Sequence, residues 1–89
     1  MKIIENKNNL VILENENTIY FISYQTTICE YDREKRILKL NANYWDYSQT
    51  TLKQLKYFIN NYTCFNYETK KQFEKEIETN ENIEEIIIL

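Results

Sequence analysis

The chain has 89 residues, 43% of them hydrophobic and 28% charged, and a net charge of −3; a length of this order builds one domain around one core. It contains no Gly, no Pro and no His. Without Gly, phosphate-cradling loops of the Walker and dinucleotide types are excluded, because their turns need a backbone approach that only Gly permits. Without His, the commonest general base and the commonest zinc ligand are both missing.

Cys29 and Cys64 are the only thiols. In a reducing cytoplasm they are expected to stay free and to serve as small hydrophobes. Two thiols also fall short of the four good ligands of a structural zinc site. The longest apolar run, Ile86-Ile87-Ile88-Leu89, is far below the ~20 residues that span a bilayer. The start, Met1-Lys2-Ile3-Ile4-Glu5, has no apolar signal core. The expectation is a cytoplasmic protein without membrane contact. Asn, Ile, Lys, Glu and Tyr dominate, and their A/T-rich codons point to a low-GC genome. Eight Tyr and one Trp exceed what so small a core hides, which places aromatic rings at the surface, where they favour binding.

In chain order, Lys2 to Glu5 and Leu10 to Leu13 are short apolar segments separated by Asn6-Lys7-Asn8-Asn9, and Glu14-Asn15-Glu16-Asn17 follows. Asn is the residue that best replaces Gly in left-handed turns, so these clusters predict hairpins. Thr18 to Tyr24 alternates, with Ile19, Phe21 and Ser23 on one face and Tyr20, Ile22 and Tyr24 on the other, as in a central strand. The extended run continues from Gln25 to Tyr31 with a bend near Tyr24-Gln25. Asp32-Arg33-Glu34-Lys35-Arg36 then predicts a charged turn, with Ile37 to Leu40 returning.

After Asn43 the period changes. Leu52, Leu55, Phe58, Ile59 and Tyr62 form a helical stripe. Ser48 is its expected N-cap, and Thr51 with Gln54 forms an alternative capping box. A second helix is predicted from near Asn66 to Thr79, with Phe73 and Ile77 inward, interrupted by Asn80-Glu81-Asn82. The end, Ile83 to Leu89, is either a last strand or a short helix, and its Ile content favours the strand. The sum is an α+β domain over residues 1–89: an antiparallel β-meander, two helices and a C-terminal strand.

Residues 1–62 carry a net charge of +1 and residues 63–89 a net charge of −4. An acidic surface at Glu74, Glu78, Glu81, Glu84 and Glu85 is either a solvated helix face or a mimic of nucleic acid for a partner's basic groove. Tyr44, Trp45, Asp46 and Tyr47, ahead of three hydroxyls at a helix start, form either a cap with a staple or a recognition surface. Arg33, Lys35, Arg36 and Lys39 form the one basic patch, interleaved with Glu30, Asp32 and Glu34, and are the alternative, nucleic-acid-binding site. No spacing among Ser, Cys, Lys and carboxylates matches a nucleophile–base pair or a carboxylate metal cage. The expectation is no enzyme, no cofactor and no metal.

The pairing of Ser23-Tyr24-Gln25-Thr26-Thr27-Ile28 with Tyr47-Ser48-Gln49-Thr50-Thr51-Leu52-Lys53-Gln54 resembles a family of small uncharacterised phage proteins. Its members carry an aromatic-Ser-Arg-Thr-Thr-x-Lys-His stretch. Ser48, Thr50, Thr51 and Lys53 match it, while Gln49 and Gln54 replace its Arg and His. The resemblance covers roughly residues 20–62 and implies phage or mobile-element origin without an activity. The resulting expectation is an inhibitor of a host defence nuclease complex, a host protein or ribonucleoprotein, similar in size and character to anti-CRISPR proteins. Two alternatives stand beside it: a small nucleic-acid-binding protein, and a homodimer in which Ile86 to Leu89 adds a strand to a neighbour's sheet.

Overall fold

The computed structural model describes Met1 to Ile88. Six strands form one sheet in chain order: β1 (Lys2–Lys7), β2 (Leu10–Asn15), β3 (Thr18–Ser23), β4 (Thr26–Asp32), β5 (Ile37–Asn41) and β6 (Ile83–Ile86). The first five pair antiparallel, and β6 closes the edge in parallel with β5. Between β5 and β6 the chain makes α1 (Gln49–Tyr62) and α2 (Lys70–Thr79). This is the expected α+β meander with two helices and a final strand; Leu89, part of the expected dimer strand, lies outside the described residues.

The alternation in β3 sets the layering. Ile19, Phe21 and Ser23 are buried while Thr18, Tyr20 and Ile22 are half-buried, so one face of the sheet takes the helices and the other meets solvent. α1 lies over β3 and α2 over β6. Leu55, Phe58 and Ile59 of α1 and Phe73 of α2 are fully buried, joining Ile12, Phe21, Leu38 and Leu40 in one cluster. Phe21 stacks on Phe58 with ring centroids 5.6 Å apart, and Tyr67 packs on Phe73 at 4.9 Å. Each such ring stabilises the fold by roughly 1.5–3 kcal/mol through burial.

Two-residue turns make the first three hairpins and a four-residue turn, residues 33–36, makes the fourth, and all use left-handed residues without a single Gly. Asn8 and Asn9 both have positive φ, as do Tyr24 and Gln25, the pattern of type I′ turns. Glu16 turns β2 into β3. The expected bend at Tyr24-Gln25 is thus a full reversal between two strands. Its residue types hide it: Tyr and Gln are not turn formers, and the bulky Tyr24 disfavours positive φ.

Ser48 caps α1 as expected, its hydroxyl accepting from Thr51 N–H at 3.1 Å. Gln54 does not complete a second capping box. It accepts from Ser23 Oγ at 2.6 Å and donates to the Asn8 carbonyl at 3.3 Å, tying both turns to the helix. α2 starts at Lys70, capped by Thr69, and not near Asn66. The Asn60 side chain holds the Tyr67 backbone by two hydrogen bonds, 2.9 and 2.8 Å long, which keeps this segment out of the helix.

Edge strand β1 is joined to α1 by Glu5, whose carboxylate accepts hydrogen bonds from the phenols of Tyr57 (2.7 Å) and Tyr62. The Tyr62 bond, then the Tyr57 bond, holds the Glu5 carboxyl below its ordinary value of 4.5. Burial and the bond to Glu5 push the Tyr62 phenol well up. Because the Glu5 value is lowered in the fold, its contribution is complete above 4.5 and is lost as pH falls through the lowered value. The stability gap between wild type and a Tyr57→Phe/Tyr62→Phe variant, measured by denaturant unfolding, is therefore expected to be wide at neutral pH and to narrow as pH falls below 4.5. A gap that stays constant with pH would show that Glu5 is not the anchor.

Candidate functional site

Asn41, the last residue of β5, is 2% exposed. Its amide donates to the Thr27 carbonyl at 2.8 Å and accepts from Asn43 N–H at 3.1 Å. Its own carbonyl accepts from Tyr44 N–H and Trp45 N–H at 3.0 and 2.9 Å. The loop Ala42–Tyr47 is thereby wound around one buried residue, and of its own side chains Trp45 alone is buried. Trp45 goes inward, 4% exposed, against Phe73 and with its indole N–H donating to Glu85 at 2.7 Å. Tyr44 and Tyr47 go outward, 41% and 73% exposed, with ring centroids 5.8 Å apart.

On one side of this loop lies a cleft of about 410 Å³. Its walls are the β3–β4 turn with Tyr24, the two loop tyrosines and the start of α1 with Ser48, Thr50 and Thr51. A bulge shapes its base. Phe21 pairs with Cys29 and Ile22 with Thr27, which leaves Ile28 without a cross-strand partner. The extra residue lets Ile28 and Cys29 both be buried, with Ile28 lining the cleft. The segments 23–28 and 47–54 thus meet in space here. Across the loop, a shallower depression of about 210 Å³ is lined by Asp46, Glu74, Glu78 and Glu85 with Trp45 and Ile77.

The predicted partner-binding residues therefore divide. Tyr44, Asp46, Tyr47, Glu74, Glu78 and Glu85 gather around one loop. Trp45 is mostly buried in the core, and it borders the acidic depression from beneath. Glu84 sits beside Lys39 in the β5–β6 register, and Glu81 lies exposed in the turn after α2. The acidic run does not form one face, because a strand sends Glu84 and Glu85 to opposite sides.

The basic residues stay on one hairpin but are interleaved with acids, and Lys35 and Lys39 line one hollow with Glu30 and Asp32. Arg33 pairs with Glu14 at 2.7 Å and donates to the Glu16 carbonyl, bracing the β2–β3 turn. Lys39 stands between Glu30 and Glu84 across the sheet, and Lys35 shares a small hollow with Glu30 and Asp32. Arg36 takes the left-handed position of the β4–β5 turn. Cys29 is buried, which pushes its thiol up, and Cys64 is exposed; both are free. Among the described residues no three potential metal ligands gather, and no helix is long and apolar enough to cross a membrane.

A family of unknown function (DUF8033) has a model that matches residues 2–75. The chain belongs to that family. The matched span holds every residue of the tyrosine cleft, while Glu78 and Glu85 lie beyond it. Comparison with the curated proteins and with the solved structures gave no match.

Sequence reasoning missed the roles of Asn41 and Ile28 and read the reversal at Tyr24-Gln25 only as a bend. Only Asn41 gave a signal, as a polar residue closing the strand Ile37–Asn41. Asn41→Ala is expected to cost about 1–3 kcal/mol, since it leaves buried backbone groups unpaired, and to speed amide exchange at Asn43 to Trp45. Tyr47→Ala is expected to stay within about 0.5 kcal/mol of wild type, and Trp45→Ala to cost about 3–5 kcal/mol. Equal costs for Tyr47→Ala and Trp45→Ala in thermal unfolding would contradict this division of the loop.

Proposed function

We propose that the chain is a non-enzymatic binding domain that engages a basic surface of a protein partner through the Ala42–Tyr47 loop and the carboxylates beside it. One observation carries this reading: two outward tyrosines and the carboxylates Glu74, Glu78, Glu85 and Asp46, the last 3.6 Å from the Lys70 ammonium, converge on one loop, held from beneath by Asn41. Exposed tyrosines supply large contact area at small entropic cost. Exposed ion pairs each contribute only about 0–1 kcal/mol, so the carboxylates serve steering and selection more than affinity.

A groove that holds nucleic acid is one such basic surface, and a protein that fills it inhibits its owner. Phage or mobile-element origin and an anti-CRISPR-like role against a host nuclease complex fit this reading as its most specific form. Direct nucleic-acid binding is less favoured, because Arg33 is committed to Glu14 and Lys39 is flanked by Glu30 and Glu84.

The test is a titration with a short arginine-rich peptide, followed by amide proton–nitrogen correlation spectra. Shifts are expected at Asp46, Glu74 and Glu78, weakening with salt. A Glu74→Lys/Glu78→Lys variant is expected to bind about tenfold more weakly or worse. Unchanged affinity in that variant would overturn the role of the acidic side.

A further inference from the structure

The tyrosine cleft gives the binding reading above, on which this inference rests, a ligand class. We propose that the cleft between the β3–β4 turn and the start of α1 binds a proline-rich segment in the polyproline II conformation, with the segment's basic flank turned towards Asp46 and Glu74.

The lining has the required chemistry. Tyr24, Tyr44 and Tyr47 surround the opening, Ile28 lies at its base, and no charged side chain lines it. The hydroxyls of Ser48 and Thr51 are engaged with each other at 3.0 Å and that of Ser23 with Gln54. The phenols of the three tyrosines are exposed and take no part in that network. A polyproline II segment has no internal hydrogen bonds and presents free carbonyls, and its prolines have no N–H to satisfy. It asks its site for apolar ridges and hydrogen-bond donors, which is what tyrosine-lined grooves provide. A single nucleic-acid strand also stacks on tyrosine, but it brings a phosphate with every base and needs cations along the groove.

Tyr24 offers a clean test position. It is 59% exposed and held at φ 48, a conformation that costs a bulky residue on the order of 1 kcal/mol and that Asn adopts more readily. Charge complementarity sets the direction. The cleft is neutral, and on the other side of the loop lie Glu74, Glu78 and Glu85 with Asp46, which Lys70 partly neutralises at 3.6 Å, so the two α2 glutamates supply most of the attraction. Prolines followed by Arg or Lys meet both surfaces at once.

The experiment titrates the full chain with a short proline-rich peptide ending in arginine, and with the same peptide carrying Ala for each Pro. Amide correlation spectra are expected to show saturable shifts at Tyr24, Tyr44, Tyr47 and Thr50 with the first, and binding about tenfold weaker with the second. Tyr24→Asn is expected to raise the thermal midpoint while weakening the peptide about tenfold. A better-folded Tyr24→Asn protein that binds as well as wild type removes Tyr24 from the site, and equal binding of the Ala peptide overturns the polyproline requirement. Saturable shifts of the cleft signals by a DNA strand or a neutral oligosaccharide, without the peptide's effect, would overturn the ligand class. Should the proline-rich peptide leave the cleft unmoved while the arginine-rich peptide still titrates Asp46 and Glu78, this inference fails and the acidic-face reading stands. Cleft binding that persists when the arginine-rich peptide does not bind has the opposite meaning.

Discussion

The organisation of this molecule depends on a buried amide. Asn41 ends β5 at the point where the meander stops and the helical part begins, and its side chain and carbonyl together make four hydrogen bonds to Thr27, Asn43, Tyr44 and Trp45. An unpaired buried amide costs about 1–3 kcal/mol, so the surrounding backbone has little freedom to choose another path. Fixing that path decides which aromatic goes where. Trp45 enters the core against Phe73 and reaches Glu85 on β6, which joins the loop to the last strand. Tyr44 and Tyr47 are left outside, on a support too rigid to fold them away.

A chain without Gly must make its turns by other means, and here the means differ in how visible they are. Asn8-Asn9 was readable as a hairpin because Asn tolerates the left-handed region. Tyr24-Gln25 was not, because neither residue favours it; the turn exists since β3 and β4 both have core faces that pairing must bury. Register and burial overrode local preference, as they do in sheets generally. The helical stripe of α1 was legible for the opposite reason: Leu55, Phe58 and Ile59 repeat at a period that only a helix brings to one side. The first turns of α2 were misplaced because Asn60, distant in sequence, holds Tyr67.

The site was legible in part, and charge shows why. A linear count groups residues that a sheet separates. Glu84 and Glu85 are neighbours in sequence, yet one stands beside Lys39 and the other meets Trp45. Arg33, Lys35, Arg36 and Lys39 read as a patch in the chain, but cross-strand pairing interleaves them with Glu14, Glu30 and Asp32. Conversely Asp46, far from the acidic run in sequence, joins Glu74, Glu78 and Glu85 because the loop folds back over α2. The carboxylates that count are those a fold gathers, whichever part of the chain supplies them.

Gathering them beside a neutral cleft has an energetic consequence. In water an exposed carboxylate gains little from meeting a cation, because screening within about 8–10 Å and side-chain entropy consume the attraction. Aromatic area buried against an ordered partner does not suffer that loss. A site with both therefore divides its tasks: the acidic side of the loop sets which partners approach and in what orientation, and the tyrosine side determines how long they stay. Such a division works only if the two sides keep a fixed distance from each other. In this chain a single loop forms the boundary of both, and its winding around Asn41 supplies that fixed distance.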